Sequence, residues 1–161
     1  SVLQSSKEGV LAIHSLSKRS NLAGMRVGFY AGDAELVGYL REVRKHQGFM
    51  LSGPAQIAGI AALIDQQHAD RQRQLYLGRL SKLISIFESL GIETTMPEGA
   101  FYLWIYAPEG DECGLVEKLA KNLGMVVTPG GFFGEKGKGY IRVAAVATDD
   151  RIELLEQRAG V

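Results

Sequence analysis

The stretch Ser15-Leu16-Ser17-Lys18-Arg19-Ser20-Asn21-Leu22-Ala23-Gly24-Met25-Arg26-Val27-Gly28 lies between two short apolar runs, Val10–Ile13 and Val27–Ala31. It places one lysine among small hydroxyl residues, and an arginine between two glycines follows. Serine hydroxyls, backbone N–H groups and a guanidinium can together hold a phosphate dianion. A lysine held beside such a site can form a Schiff base with a carbonyl cofactor. The pattern therefore favours a loop that binds phosphate beside a reactive lysine.

Ser-x-Ser-Lys followed by Gly-x-Arg-x-Gly resembles the cofactor-lysine motif of class I/II aminotransferases, which are pyridoxal-phosphate enzymes of fold type I. Two further matches follow in the family's order, at Pro97–Trp104 and Pro129–Ala144. Within the family, the quoted stretch together with Arg142-Val143-Ala144 and Ala147–Ile152 is most similar to N-succinyldiaminopimelate aminotransferases. The resemblance implies an α/β fold, namely the C-terminal part of the fold type I transferase.

The resemblance also implies roles for residues of the first motif. Lys18 would form the Schiff base with pyridoxal 5'-phosphate and then move a proton between substrate and cofactor. Ser15 and Arg26 match the family's phosphate ligands on the lysine side, and Ser17 would add its hydroxyl. These four residues are the expected cofactor site, with Lys18 as the catalytic residue.

Other residues of the stretch are expected to be structural. Ser20 and Asn21 could contact phosphate, but turn formation is the favoured interpretation. Arg19 is expected to face solvent or a subunit boundary. Gly24 and Gly28 are expected where two backbone segments approach closely.

Arg142 lies within the apolar segment Gly139–Ala144, where burying an arginine is costly without an anion. A substrate carboxylate would supply that anion, and the position matches the family's arginine for the substrate α-carboxylate. An internal salt bridge to Asp or Glu is the alternative. Gly99, in the segment Pro97–Trp104, matches a turn at the substrate entrance, so Arg142 and Gly99 are the expected substrate-binding residues.

Several aromatic residues and one histidine are harder to assign. Trp104 and Tyr106 are expected in the core, and His14 is expected to be a packed core residue. Phe132 and Phe133 could cap the active site or fill a domain interface.

The composition excludes some classes of partner and site. Eighteen basic residues balance eighteen acidic ones, which gives no reason to expect nucleic acid or an anionic membrane as a partner. The single Cys113 excludes an internal disulfide, and the three histidines lie far apart, so no metal site is expected. No apolar run reaches the ~20 residues of a membrane span. We expect a cytoplasmic protein.

Alternating strands and helices predict α/β order, with a domain change near Ala69. We expect residues 1–70 to be the end of the large cofactor domain with a linker helix region, and residues 71–161 to be the small domain. The predicted strands are Val10–Ile13, Met25–Ala31, Ile92–Thr95, Ala100–Tyr106, Met125–Thr128 and Tyr140–Val146, the first two of them buried. The predicted helices follow Asp33 to about Gln47, begin at Ser52-Gly53-Pro54, and cover His68–Leu90, Glu112–Asn122 and Asp149–Arg158.

The chain begins with Ser1 rather than Met, and we expect it to be the C-terminal part of a longer aminotransferase. Family enzymes take from the preceding part an aspartate for the pyridine nitrogen, an aromatic ring stacked on the cofactor and a tyrosine at its phenolic oxygen. This chain alone is therefore expected to be inactive, and the intact enzyme to be a homodimer.

The expected reaction moves an amino group from an amino acid, glutamate, to a 2-oxo acid, as in N-succinyldiaminopimelate transamination of lysine and diaminopimelate biosynthesis. Another fold type I enzyme could use the same lysine, such as an aspartate or aromatic aminotransferase, a carbon–sulfur lyase or a decarboxylase. A non-catalytic module that binds an anion through the glycine-rich segment Gly130–Gly139 is the remaining alternative. That segment lacks the Gly-Lys-Ser/Thr spacing of a Walker loop.

Overall fold

The computed structural model describes residues 1–161, and the chain divides into two compact units, Ser1–Gln72 and Arg73–Val161. The strands are β1 (Leu11–Ser15), β2 (Gly28–Gly32), β3 (Tyr102–Tyr106), β4 (Thr128–Pro129) and β5 (Tyr140–Ala144). The helices are α1 (Leu16–Arg19), α2 (Ala34–His46), α3 (Gly53–Ile64), α4 (Gln66–Ser89), α5 (Glu112–Leu123) and α6 (Asp149–Ala159). The α/β fold class is confirmed.

The first unit is organised around the two strands that flank the lysine motif. Strands β1 and β2 pair in antiparallel fashion from Leu11↔Gly32 to Ser15↔Gly28. The motif between them is more than a loop, because it contains the short helix α1 and a 3-10 turn at Ala23–Met25. A small core of four buried residues holds this unit together: Leu16, Val27, Ala55 and Ala62.

The first two strands were predicted to be buried, and within this chain they are not. Ile13 of β1 is 78% exposed and Phe29 of β2 is 38% exposed, and the register places them on opposite faces of the strand pair. The sheet consists of these two strands alone, so no further strand flanks either of them. Strand β2 also starts three residues later than the predicted Met25. Arg26 has left-handed backbone (φ 54°), which an extended strand cannot contain.

Helix α2 begins directly after Asp33, the residue predicted to cap it. One carboxylate oxygen of Asp33 accepts the N–H groups of Glu35 (2.9 Å) and Leu36 (3.2 Å), and the other accepts that of Gly9 (2.9 Å). These bonds, the one from Gly9 foremost, lower the pKa of Asp33. The predicted starts of α2 and α3, with Pro54 in the first turn of α3, are confirmed.

The second unit is a three-stranded antiparallel sheet with β5 in the centre, in the order β3-β5-β4. One face of the sheet packs against helices in a large apolar core. The largest fully buried side chains of the unit are Leu80, Ile86, Phe87, Leu103, Ile105, Leu119, Ile141 and Ile152. Polar links join α4 to α6, where Arg79 Nε lies 2.7 Å from Asp149 and Lys82 Nζ 3.1 Å from Glu156.

The four predicted strands of this unit need correction. Strand β5 begins at Tyr140 as predicted but ends at Ala144, two residues before the predicted Val146. Residues 92–95 form no strand, because Ile92 closes α4 instead: its N–H donates to the Phe87 carbonyl (3.0 Å) after Gly91 turns left-handed (φ 73°). Of the predicted Met125–Thr128, only Thr128 lies in a strand. Strand β3 starts at Tyr102 rather than at the predicted Ala100, since Ala100 has positive φ (64°).

Helices α4, α5 and α6 are confirmed within two residues of their predicted ends. None of the helices has the length and apolar character that crossing a bilayer demands. The roles given to the two parts of the chain, the end of a large cofactor domain and a small domain, stay predictions.

Hydrogen exchange on the 161-residue chain should separate the two units. Strand β5 is bonded on both sides and buries one face, whereas β1 has one neighbour and an uncovered face. We expect amides of β5 to be protected more strongly than those of β1, by roughly 2 kcal/mol of opening free energy or about 30-fold in rate. Equal strong protection in both strands, in a chain shown to be monomeric, would contradict this division.

Candidate active site

The lysine of the first motif is carried by the short helix α1. Ser15 ends β1, and its hydroxyl oxygen accepts the N–H of Ser17 (3.1 Å), which caps the helix. Leu16 is fully buried, and its N–H donates to the Val27 carbonyl (3.0 Å). This buried residue anchors α1 between the ends of the two strands, while the side chain of Lys18 is exposed.

Arg26 lies at the same end of the strand pair as Ser15, because it precedes Gly28, the partner of Ser15, by two residues. Its Nη1 donates to the Ala23 carbonyl (3.1 Å), and the rest of the guanidinium is exposed. A side chain at Gly28 would place Cβ 2.9 Å from the His14 carbonyl oxygen, so the expected close approach is confirmed there. Gly24, in contrast, has open space around it.

The other polar residues of the stretch are structural. Arg19 is half-buried rather than turned to solvent: it donates to the Ala62 carbonyl (3.1 Å) and to Gln66 Oε1 (2.6 Å), and so fixes α1 against the end of α3. The other predicted location, a subunit boundary, stays a prediction. Ser20 caps α1 and is buried, and Asn21 has positive φ (52°). Both residues lie in the bend that follows α1, as expected of turn formers, and the alternative of a phosphate contact stays untested.

The residues of this loop fit pyridoxal phosphate in their chemistry. Two hydroxyls and a guanidinium are suitable donors to a phosphate dianion, and an exposed primary amine lies on the same short segment. The close approach of β2 to β1 at Gly28 leaves no room for a side chain between the strand ends. The structure thus brings Ser15, Ser17, Lys18 and Arg26 onto one connection between two paired strands.

A cleft of about 530 Å³ lies beside this loop. Of the four predicted cofactor residues only Arg26 lines it, together with Arg41, Arg44 and Gln56. His14 lines it too; its ring is exposed and stacks on Phe29 at 5.2 Å, so the prediction of a packed core residue is wrong. The register pairs His14 directly with Phe29, and both residues are exposed on the two-stranded sheet.

In the second unit, aromatic side chains line the face of the sheet that points away from the core. Side chains alternate along β3, so Leu103 and Ile105 are buried whereas Trp104 and Tyr106 are 46% and 56% exposed. The expectation that Trp104 and Tyr106 belong to the core is therefore wrong. Arg142 pairs with Trp104 across the strands and lies on the same face.

Arg142 contacts two aromatic rings and has no acidic partner within the chain. The central carbon of its guanidinium lies 4.7 Å from the ring centre of Tyr102 and 4.4 Å from that of Phe133. Its Nε is buried and has no hydrogen-bond acceptor. No aspartate or glutamate of the chain pairs with Arg142, so the alternative of an internal salt bridge is not realised here. A buried N–H without an acceptor is a group that a ligand can satisfy.

The glycine-rich segment that carries Phe133 is tied down by a residue that sequence reasoning missed. The carboxylate of Glu112, at the start of α5, accepts the N–H of Gly131 (3.2 Å) and that of Gly139 (2.5 Å). Gly130 and Gly137 approach so closely that a Cβ on Gly130 would lie 2.1 Å from the Gly137 carbonyl oxygen. No local pattern could reveal Glu112, because its partners are 19 and 27 residues away in sequence.

Gly99 is placed in an exposed turn before Phe101 and Tyr102. A Cβ at this position would meet no atom within 4 Å, and the positive φ belongs to Ala100 instead. The geometry therefore gives no steric reason for glycine at this position, and its contact with substrate stays a prediction.

Comparison with known proteins identifies relatives along nearly the whole chain. The family Aminotransferase class I and II matches residues 2–157. The 4-dedimethylamino-4-oxo-anhydrotetracycline transaminase OxyQ of Streptomyces rimosus is 47% identical over 95% of this chain and 42% of its own length. An LL-diaminopimelate aminotransferase of Aquifex aeolicus is 35% identical over 94% of this chain and 40% of its own.

Solved structures agree with this relationship. An aminotransferase from Neisseria meningitidis superposes with a TM-score of 0.84 at 34% identity, covering 99% of this chain and 42% of that one. A probable N-succinyldiaminopimelate aminotransferase from Thermus thermophilus superposes with a TM-score of 0.80 at 29% identity. The match covers 96% of this chain and 42% of that one. The chain thus spans about two fifths of the length of its relatives. With a family match along almost all of its residues, the chain belongs to the class I and II aminotransferases, a family of pyridoxal-phosphate enzymes.

Proposed function

We propose that the protein to which this chain belongs is an aminotransferase that moves an amino group from an amino acid, glutamate, to a 2-oxo acid with pyridoxal phosphate. The observation that carries this proposal is the buried Nε of Arg142, which has no acceptor although it lies in an otherwise well-bonded sheet. Amino acids and 2-oxo acids share one group that would satisfy it, the α-carboxylate.

The roles proposed for the first unit follow from its donor set. When bound, pyridoxal phosphate supplies an electron sink for bond breaking at the substrate α-carbon. Ser15, Ser17 and Arg26 bind and orient its phosphate group through hydroxyl and guanidinium donors. Lys18 bears the cofactor, and once released its Nζ accepts the proton that leaves the substrate α-carbon.

Arg142 would orient the substrate. A guanidinium offers parallel N–H groups that match the two oxygens of a carboxylate, and such charge-assisted pairs are stronger than neutral hydrogen bonds. The guanidinium carbon lies 4.7 Å from the ring centre of Tyr102 and 4.4 Å from that of Phe133, so a carboxylate would reach Arg142 through the N–H groups that these rings do not cover. Substrate would be held there by its α-carboxylate, with Gly99 near the entrance.

For the acceptor we propose the 2-oxo acid of N-succinyldiaminopimelate transamination. The sequence resemblance and the structural similarity to a probable enzyme of that kind support it. Relatives of higher identity have other names, an anhydrotetracycline transaminase and LL-diaminopimelate aminotransferases. In an acceptor screen of the full-length protein with glutamate, the N-succinylated 2-oxo acid should give the highest kcat/KM. Higher turnover with the corresponding 2-oxo acid that lacks the succinyl group, or with an anhydrotetracycline ketone, would refute this choice.

Reduction of the full-length holoenzyme with borohydride should label a single lysine. We expect peptide mapping to find the pyridoxyl group on Lys18, and Lys18→Ala to abolish both the label and the visible absorbance of the cofactor. Lys45→Ala, which removes an exposed lysine elsewhere in the first unit, serves as the control. A label on Lys45, Lys82 or Lys118 would refute the assignment.

Replacing Arg142 by lysine should weaken substrate far more than cofactor. Loss of one bidentate charge-assisted contact costs roughly 2–3 kcal/mol, which is about 30- to 150-fold in KM for amino acid and 2-oxo acid. The matched control is Arg151→Lys, since Arg151 is exposed on α6. An unchanged KM together with loss of pyridoxal phosphate would instead make Arg142 a cofactor ligand.

A further inference from the structure

We propose that Phe133 and Tyr102 are positioning residues that hold the guanidinium of Arg142 in a single plane, ready for a flat carboxylate. The inference rests on the function proposed above for Arg142 and adds to it the residues that make its orientation specific. Neither aromatic residue needs to contact the reacting atoms, because both would act through Arg142.

The first support is the contact geometry. Both rings lie within the distance at which a cation is attracted to an aromatic face, 4.7 Å for Tyr102 and 4.4 Å for Phe133. Tyr102 and Arg142 are diagonal neighbours on adjacent strands, a position from which long side chains reach each other. Rings in contact with the guanidinium exclude water from it and restrict rotation of the Arg142 side chain. A side chain that is already restricted loses less conformational entropy when substrate binds.

The second support is the way in which Phe133 itself is fixed. Its ring meets the edge of Trp104 at 5.6 Å, and Trp104 stacks on Tyr140 at 5.5 Å. The segment carrying Phe133 is tied at Gly131 and Gly139 to the carboxylate of Glu112. Phe133 is thereby supported from the sheet and from the backbone on both sides.

The third support is a comparison among the half-buried arginines. Arg19 donates to a carbonyl and to an amide oxygen, and Arg79 pairs with Asp149 at 2.7 Å. Each of these two arginines is held by its acceptors, as expected of a structural residue. Arg142 is held by rings instead, and its Nε has no acceptor. Ring contacts orient a guanidinium and leave its N–H groups for a ligand.

Kinetics of the full-length holoenzyme give the principal test. Phe133→Leu removes one ring, and a lost cation–π contact predicts a KM for amino acid and 2-oxo acid raised roughly 3- to 30-fold. The value of kcat should change much less, and the cofactor absorbance should stay as in the unaltered enzyme. Phe132→Leu is the matched control because Phe132, the adjacent phenylalanine, is 80% exposed. Phe133→Tyr should restore a near-normal KM, since it keeps a ring.

A second measurement reads Arg142 without cofactor or turnover. In nitrogen-15 spectra of the full-length protein without cofactor, the Arg142 Nε–H signal should be shifted upfield by the two rings. Phe133→Leu should move that signal downfield, Tyr102→Leu should do the same, and Phe132→Leu should not. Tyr102→Leu keeps the test decisive if Phe133→Leu does not fold.

The inference is overturned if Phe133→Leu leaves both the KM and the Nε–H signal unchanged, or if Phe132→Leu changes them equally. Its failure is distinguishable from failure of the proposed function. Where Arg142→Lys raises the KM and Phe133→Leu does not, the carboxylate role stands and the positioning role falls. Where Arg142→Lys has no effect on the KM, the carboxylate role falls, and the positioning role falls with it.

Discussion

Side chains along strands β3 and β5 alternate between the two faces of the sheet. The second unit depends on this alternation. Ile141 and Val143 point into the core, and each such burial stabilises the fold by roughly 1.5–3 kcal/mol. Arg142 between them must take the opposite face, where an Nε without an acceptor costs about 1–3 kcal/mol. The apolar burial outweighs that cost, so the fold tolerates an arginine whose Nε has no acceptor within the chain.

In the first unit, too, the residue that anchors the backbone is not the residue expected to carry the chemistry. Leu16 is buried and fixes α1, while Lys18, two residues later, is exposed on the same short helix. The left-handed backbone at Arg26 ends the connection and starts β2 at Gly28, which pairs with Ser15. Buried apolar residues and backbone turns therefore set the positions of the polar groups. Ile13 and Phe29, on opposite faces of this strand pair, are nevertheless exposed in the chain.

Local chemistry predicted much of this arrangement. Asp33 and Gly91 mark helix ends because capping and positive φ act over a few residues, and Arg142 could be singled out because an arginine in an apolar strand needs an anion. The failures concern properties that depend on distant residues. Trp104 is as apolar as a core residue, and only the strand register shows that it faces outward. Glu112 binds backbone far along the chain, which no local pattern records.

The central claim is that Arg142 is the receptor for the substrate carboxylate. A crystal structure of the full-length protein with a bound amino acid or 2-oxo acid tests it most directly. We expect the α-carboxylate to lie in the plane of the Arg142 guanidinium, within hydrogen-bond distance and between the flanks formed by Tyr102 and Phe133. A carboxylate bound by another arginine, with Arg142 paired to an aspartate or glutamate from elsewhere in the protein, would contradict the account.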